Sequence, residues 1–154
     1  MLVMKGHGVA QSDKEAAKWW LKAAEHGHAE SQHIAGDLFS SGQSVKQSDE
    51  KAVRWYMQAA DQGLKEAQFI LGVFFLEGRK LKQSDTEAAR WFKKATEQGH
   101  GSALINLGGL FEEGRGVPQS DVQAVRWYRE AAEQGHLHAL VNLSYLRGEG
   151  HVLK

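Results

Sequence analysis

The sequence predicts an all-α fold of stacked, antiparallel helix pairs, a solenoid with a 36-residue repeat, and three observations predict it. The first is a period kept without a slip. Asp13, Asp49, Asp85 and Asp121 are 36 residues apart, as are Trp19, Trp55, Trp91 and Trp127, and Gly27, Gly63, Gly99 and Gly135. A fixed period of this length marks an array in which each repeat contacts mainly its neighbours. The second is apolar spacing of three and four residues in two stretches per repeat, which is the spacing of a helix face. The third is the tripeptide Gln-Ser-Asp, recurring from Gln11, Gln47, Gln83 and Gln119 just before the second stretch.

The second helix of each pair, helix B, is clearest from Ser120 to Gly135. Ser120 is placed to cap it, and Gln123 three residues on completes a capping box. Ser12 with Glu15 and Ser84 with Glu87 repeat the pattern, whereas Lys51 leaves Ser48 as a simple serine cap. Asp121 and its equivalents then sit in the first turn, where negative charge meets the positive helix end. Ala124, Trp127, Tyr128, Ala131 and Ala132 share the buried face, and Gly135 ends the helix. The first helix, helix A, reads from Gly101 to Gly114, with Ala103, Leu107, Leu110 and Phe111 on one face. A glycine stands in its middle, at Gly36, Gly72 and Gly108. Such a glycine costs about 1 kcal/mol against alanine, so its recurrence predicts a neighbour too close for a side chain.

In this frame the chain opens in the last turn of a helix A over residues 1–5, followed by a lone helix B over 12–26. Full pairs cover about 29–63, 65–99 and 101–135, and a final helix A covers 137–149. Neither outer helix shows the polar face usual at the end of an array. The expectation is a segment of a longer array, or ends covered by something else.

Composition narrows the function classes. Nineteen basic residues balance nineteen acidic ones, so the basic excess or stripe of a nucleic-acid binder is missing. No apolar run approaches the roughly 20 residues of a membrane span, and the apolar opening is too short for a signal peptide. Cysteine is absent, which removes disulfides and thiolate metal sites and fits cytosol and periplasm alike.

Ala103 to Gly135 carries A-x-x-N-L-G-x-L-F-x-x-G-x-G-V-P-Q and then A-x-x-W-Y-x-x-A-A-E-Q-G. This pattern closely resembles the Sel-1-like repeat family, relatives of the tetratricopeptide repeats, and the likeness covers nearly the whole chain. The resemblance implies a right-handed α-α superhelix serving protein–protein interaction. Family members include bacterial secreted or periplasmic proteins, signalling regulators and a component of endoplasmic-reticulum quality control. Ile34 and Ile70 depart from the asparagine kept at Asn106 and Asn142, and serines stand where the family usually has an aspartate cap. The cysteine pairs of one family branch are missing, so its disulfides do not carry over.

No catalytic constellation, cofactor site or metal site is expected. His28 and His33 are five residues apart, about 140° round a helix, unlike a zinc-binding pair. His100 and His136 match His28 by period, which reads as a loop position. The recurring tryptophans, and Trp20 beside Trp19, read as packing core. Variation between copies points elsewhere: residues that build the repeat stay, and residues that face a partner are free to differ. The divergent stripe on helix A is His33 and Asp37, then Phe69, Val73 and Leu76, then Ile105 and Glu112, then Val141 and Tyr145. Spacings of four and seven put each set on one face, and in related superhelices helix A lines the concave surface. The reading is a non-enzymatic scaffold that holds a peptide or protein surface there. A cell-wall or β-lactam-related hydrolase is the alternative, resting on family analogy alone. Weak head-to-tail self-association through the two outer helices is also expected.

Overall fold

The structure is a computed structural model that describes residues 7–148. It is all-α: eight helices and no strand among the described residues, packed in consecutive pairs. The expected partial helix over 1–5 lies outside the described residues, as does Glu149. The helices are α1 (His7–Glu25), α2 (Ala29–Ser41), α3 (Asp49–Asp61), α4 (Lys65–Glu77), α5 (Asp85–Thr96), α6 (Gly101–Glu113), α7 (Asp121–Glu133) and α8 (Leu137–Gly148).

The chain divides into two compact units after Ala67. In the first, α2 packs on α1 and on α3. Its core is mostly alanine, Ala17, Ala24, Ala35, Ala52, Ala59 and Ala60, closed by the buried ring of Tyr56. In the second, α6 packs on α5 and α7, and α7 on α8. Phe92, Leu104, Leu107, Leu110, Trp127, Tyr128 and Leu146 are buried in one continuous cluster. Small alanines let helices approach closely, and the aromatic and leucine side chains fill the space between them to native density.

The mid-helix glycines face what their recurrence predicts. A Cβ on Gly36 would lie 2.5 Å from the Tyr56 ring, one on Gly72 2.5 Å from Phe92, and one on Gly108 2.6 Å from Tyr128. Each of α2, α4 and α6 thus gives up a side chain so that the aromatic ring of the following helix B can lie on its backbone.

The Gln-Ser-Asp turn is a clasp. Gln119 donates through Nε2 to the Glu112 carbonyl at 3.2 Å and to the Asp121 carboxylate at 2.9 Å. Gln83 ties Leu76 to Asp85 in the same way, and Gln47 ties Ser40 to Asp49. Ser48, Ser84 and Ser120 accept the backbone N–H three residues ahead, as N-caps do. The reciprocal half of the capping box expected at Ser84 and Ser120 does not form. Their own N–H groups already donate to the carbonyls of Phe75 and Phe111, both at 2.9 Å, and Glu87 turns to Arg90 instead.

Two further expectations need correction. Ser12 does not cap a helix, because α1 already runs from His7. The tryptophans are not uniformly core: Trp91 and Trp127 are buried, but Trp19 is 66% and Trp20 40% exposed. Within its unit α1 packs mainly on α2, whereas α7 has both α6 and α8 against it.

Candidate functional site

The divergent positions of the A helices fall into three groups. In the first unit, His33 and Asp37 meet around Tyr56. The tyrosine hydroxyl donates to Asp37 Oδ1 at 2.6 Å, the imidazole of His33 lies 3.8 Å from the same carboxylate, and its ring tilts against Tyr56 at 5.8 Å. In the second unit, Glu112 plays the part of Asp37, accepting from the Tyr128 hydroxyl at 2.7 Å. Burial, and then the neighbouring carboxylate, hold both phenols well above their ordinary titration range. Both acids therefore hold a buried hydroxyl in place.

Phe69, Val73, Leu76 and Ile105 form the second group. They are half-buried and lie against the core of the second unit. Phe69 stacks on His100 at 4.5 Å and tilts over Phe92 at 5.8 Å, so much of its area is already spent on packing. The third group is on α8, where Val141 is 66% and Tyr145 58% exposed, with Leu137 and Leu140 exposed beside them. Exposed large apolar side chains that share one helix are a recognised feature of interaction surfaces.

Sequence reasoning passed over a groove of about 340 Å³ between α6 and α8, lined by Ser102, Ile105, Asn106, His138 and Asn142. Asn106 and Asn142 are one repeat apart, and both are half-buried. Neither side-chain amide hydrogen-bonds within the described residues. An amide offers two donors and two acceptor sites, so the pair can hold a peptide backbone. The available signal is the change at this position from Ile34 and Ile70 to Asn106 and Asn142.

Histidine turns out to cap helices. His28 Nδ1 accepts from the Ser31 N–H at 3.3 Å, and His100 Nδ1 from the Ala103 N–H at 3.2 Å. The Ser31 hydroxyl also lies 2.7 Å from His28 Nδ1, but Ser31 is buried and the pair serves the start of α2. No group of three or more metal-ligating side chains occurs among the described residues, and no helix among them is long and apolar enough to cross a membrane.

The Sel1 repeat family model matches residues 1–28, 29–64, 65–100, 101–136 and 137–154. Among solved structures, the chain is similar to a protective antigen of uropathogenic Escherichia coli strains that displays an SLR fold. That match has 37% identity and a TM-score of 0.86, and it covers 90% of this chain and 30% of the other. A Sel1 repeat protein from Oxalobacter formigenes matches at 32% identity and a TM-score of 0.78, over 81% of this chain and 94% of the other. Helicobacter pylori cysteine rich protein B shares the fold at 22% identity and a TM-score of 0.67, over 88% and 97%. No curated protein matches the chain. The Sel1 fold is generally a non-catalytic scaffold for protein interaction. The matched segments begin where α2, α4, α6 and α8 begin, one helix pair after another, and on this ground the chain belongs to the Sel1 repeat family.

Proposed function

We propose that the second unit binds an extended peptide or a protein loop along α6 and α8. The observation that carries this reading is the groove between them. Asn106 and Asn142 supply unpaired amides at a one-repeat spacing, Ile105 lies beside them, and Val141 and Tyr145 stand exposed on the same helix as Asn142. Among the A helices only α6 and α8 carry these amides, since Ile34 and Ile70 hold the position earlier in the chain. Amides suit a ligand's backbone, and the apolar residues suit its side chains. Of the divergent stripe, Ile105, Val141 and Tyr145 are the anchors. Phe69, Val73 and Leu76 lie against the core of the same unit, where Glu112 holds the Tyr128 hydroxyl; His33 and Asp37, on Tyr56 of the first unit, are not part of this groove. Binding energy in such surfaces concentrates in a few anchors.

The test is partner capture from a lysate followed by mass spectrometry, comparing the wild-type chain with Asn106→Ala/Asn142→Ala and with Val141→Ser/Tyr145→Ala. Both variants are expected to keep helical circular dichroism and to lose captured partner by at least about tenfold, roughly 1.4 kcal/mol. Unchanged capture in both rejects the groove. A hydrolase has no support in the geometry: His28 is an exposed helix cap, and the Ser31 hydroxyl beside it is buried at the start of α2.

A second reading concerns self-association. Trp19 and Trp20, with Ala16 and Ala23, line an apolar hollow of about 360 Å³ on α1. The exposed apolar face of α8 is its natural counterpart on a second copy of the chain. A contact of unlike faces is heterologous, and so gives open chains or rings. Trp19→Ser/Trp20→Ser is expected to abolish any concentration-dependent mass in sedimentation while leaving partner capture intact. A constant monomer mass for the wild type at high concentration rejects this association.

A further inference from the structure

A second cleft lies in the same unit, built from other residues. It is a cavity of about 420 Å³ with α5 and α7 as walls and the end of α6 and the following loop as floor. The floor is apolar, formed by Phe111, Val117 and Trp127, while Arg90 and Lys93 project from α5 and Arg126 from α7. No carboxylate lines it. Arg90 is held by Glu87 at 2.9 Å. Lys93 and Arg126 form no ion pair within the described residues, although each is long enough to reach one. The Arg126 guanidinium instead lies 4.7 Å over the ring of Trp127, which fixes it at the cavity edge.

The first unit contains the same cleft one period-pair earlier, lined by Leu21, Glu25, Phe39, Lys51, Arg54 and Trp55. It is smaller, about 230 Å³, and its chemistry differs. Leucine stands where Lys93 stands in the second unit, a glutamate enters the lining, and Arg54 is tied to Glu50 at 3.2 Å. The repeat architecture thus makes a cleft at this place as a matter of course. Of these two clefts, the one in the second unit combines greater size, a lining without an acid, and two cations, Lys93 and Arg126, outside any ion pair among the described residues.

We propose that the cleft bounded by Arg90, Lys93 and Arg126 is a binding site for an acidic–apolar peptide segment, one bulky apolar side chain with carboxylates next to it. The apolar side chain takes the floor of Phe111, Val117 and Trp127. The carboxylates pair with Lys93 and Arg126, which form no ion pair within the described residues, while Arg126 keeps its contact with the Trp127 ring. The volume falls in the range of about 300–1,000 Å³ usual for ligand sites. Arginine presents a planar fork matched to a carboxylate, and an unpaired cation beside an apolar floor has more to gain from an anion than one in open solvent. This site is separate from the α6–α8 groove and uses none of its residues.

The probe is the capped peptide acetyl-Asp-Phe-Asp-Asp-amide, titrated by calorimetry into the full chain. The Trp127 indole N–H resonance serves as the local readout. Saturable binding below about 1 mM is expected, weakening as salt rises. Lys93→Glu/Arg126→Glu is expected to weaken it by at least about tenfold, and the milder Lys93→Gln/Arg126→Gln by a smaller factor. The glutamine pair decides the matter if the reversal disturbs the helical circular dichroism. Arg54→Glu, in the smaller cleft, is expected to leave affinity within about twofold. A peptide with serine in place of phenylalanine is expected to bind at least about tenfold more weakly. The proposal is overturned by absence of binding to the wild-type chain or by unchanged affinity in the Lys93/Arg126 variants. An equal loss in Arg54→Glu, or equal binding of the serine peptide, also overturns it, since either shows only diffuse charge attraction.

Discussion

The hydroxyl of Tyr128 donates a 2.7 Å hydrogen bond to Glu112. Tyr56 does the same to Asp37 at 2.6 Å. In the repeat between them the aromatic residue is Phe92, which has no hydroxyl, and the places of Asp37 and Glu112 are taken by Val73 and Leu76. Polar aromatic goes with acid, and apolar aromatic with aliphatic. This is what the cost of an unpaired buried polar group requires.

Glu112→Leu is accordingly expected to destabilise the fold by about 1–3 kcal/mol, because it strands the Tyr128 hydroxyl. Tyr128→Phe alone should cost about 1 kcal/mol. The double variant reproduces the Phe92–Leu76 pairing and should cost clearly less than the sum. Urea unfolding of the four proteins gives the coupling energy, and strict additivity contradicts the pairing.

Two adjacent glycines on α6 should respond oppositely to alanine. At Gly108 the new methyl group would meet the Tyr128 ring at 2.6 Å, and overpacking of this kind costs about 1–3 kcal/mol. At Gly109 the nearest atom is the Tyr128 hydroxyl at 3.6 Å, an ordinary contact. Gly109→Ala should therefore gain up to about 1 kcal/mol from helix propensity. Thermal melts of the two variants check the difference in sign.

Arg115 grips Asp85 across one repeat with two hydrogen bonds, at 2.9 and 3.2 Å. Chiefly through that bond, the guanidinium holds the Asp85 carboxyl below its ordinary titration range, against a smaller opposing effect of burial. A carboxyl lowered in the folded state contributes stability above its unfolded value, near 3.9, and loses it as pH falls through the folded value. Both side chains are partly exposed, so Arg115→Ala should cost only about 0.5 kcal/mol near neutral pH. The cost should shrink in high salt and fade in acid, as pH falls below the unfolded value and through the lower folded one. A difference that persists in acid would mean that Arg115 acts through packing instead.

His100→Ala removes the Nδ1 acceptor at the start of α6 and should cost about 1 kcal/mol. His100→Asn, which keeps a short acceptor, should recover most of it. Equal loss in both would place the contribution in the stacking on Phe69 instead.

The fold was legible because each feature of the repeat occurs several times. A glycine in mid-helix is ambiguous once, but Gly36, Gly72 and Gly108 at one spacing announce a recurrent close contact. The surface was less legible. Variation at Asp37, Val73, Leu76 and Glu112 reads as freedom to suit a partner, yet those residues vary in step with Tyr56, Phe92 and Tyr128. That coupling runs between helices, and no pattern along a single helix displays it. His28 and His100 stand in the loop position that their period after each glycine predicts, but their role there as N-caps carries no mark in the sequence, since histidine is an uncommon cap. Asn106 and Asn142 stand where Ile34 and Ile70 stand in the earlier copies, and read as a family position they give no sign of the groove, which forms only when α6 and α8 pack side by side.

The glutamine clasp bears on how the chain reaches its fold. Gln119 reaches back seven residues to Glu112 and forward two to Asp121, and the same short spans recur at Gln47 and Gln83. Closing so small a loop costs little chain entropy. Each hairpin can therefore form before it meets the next, and folding can begin in any of the three. Low sequence separation of contacts favours rapid folding, and in a linear array a nucleus in one hairpin can spread to its neighbours. A damaging change in one turn should then slow one starting point and leave the other two open.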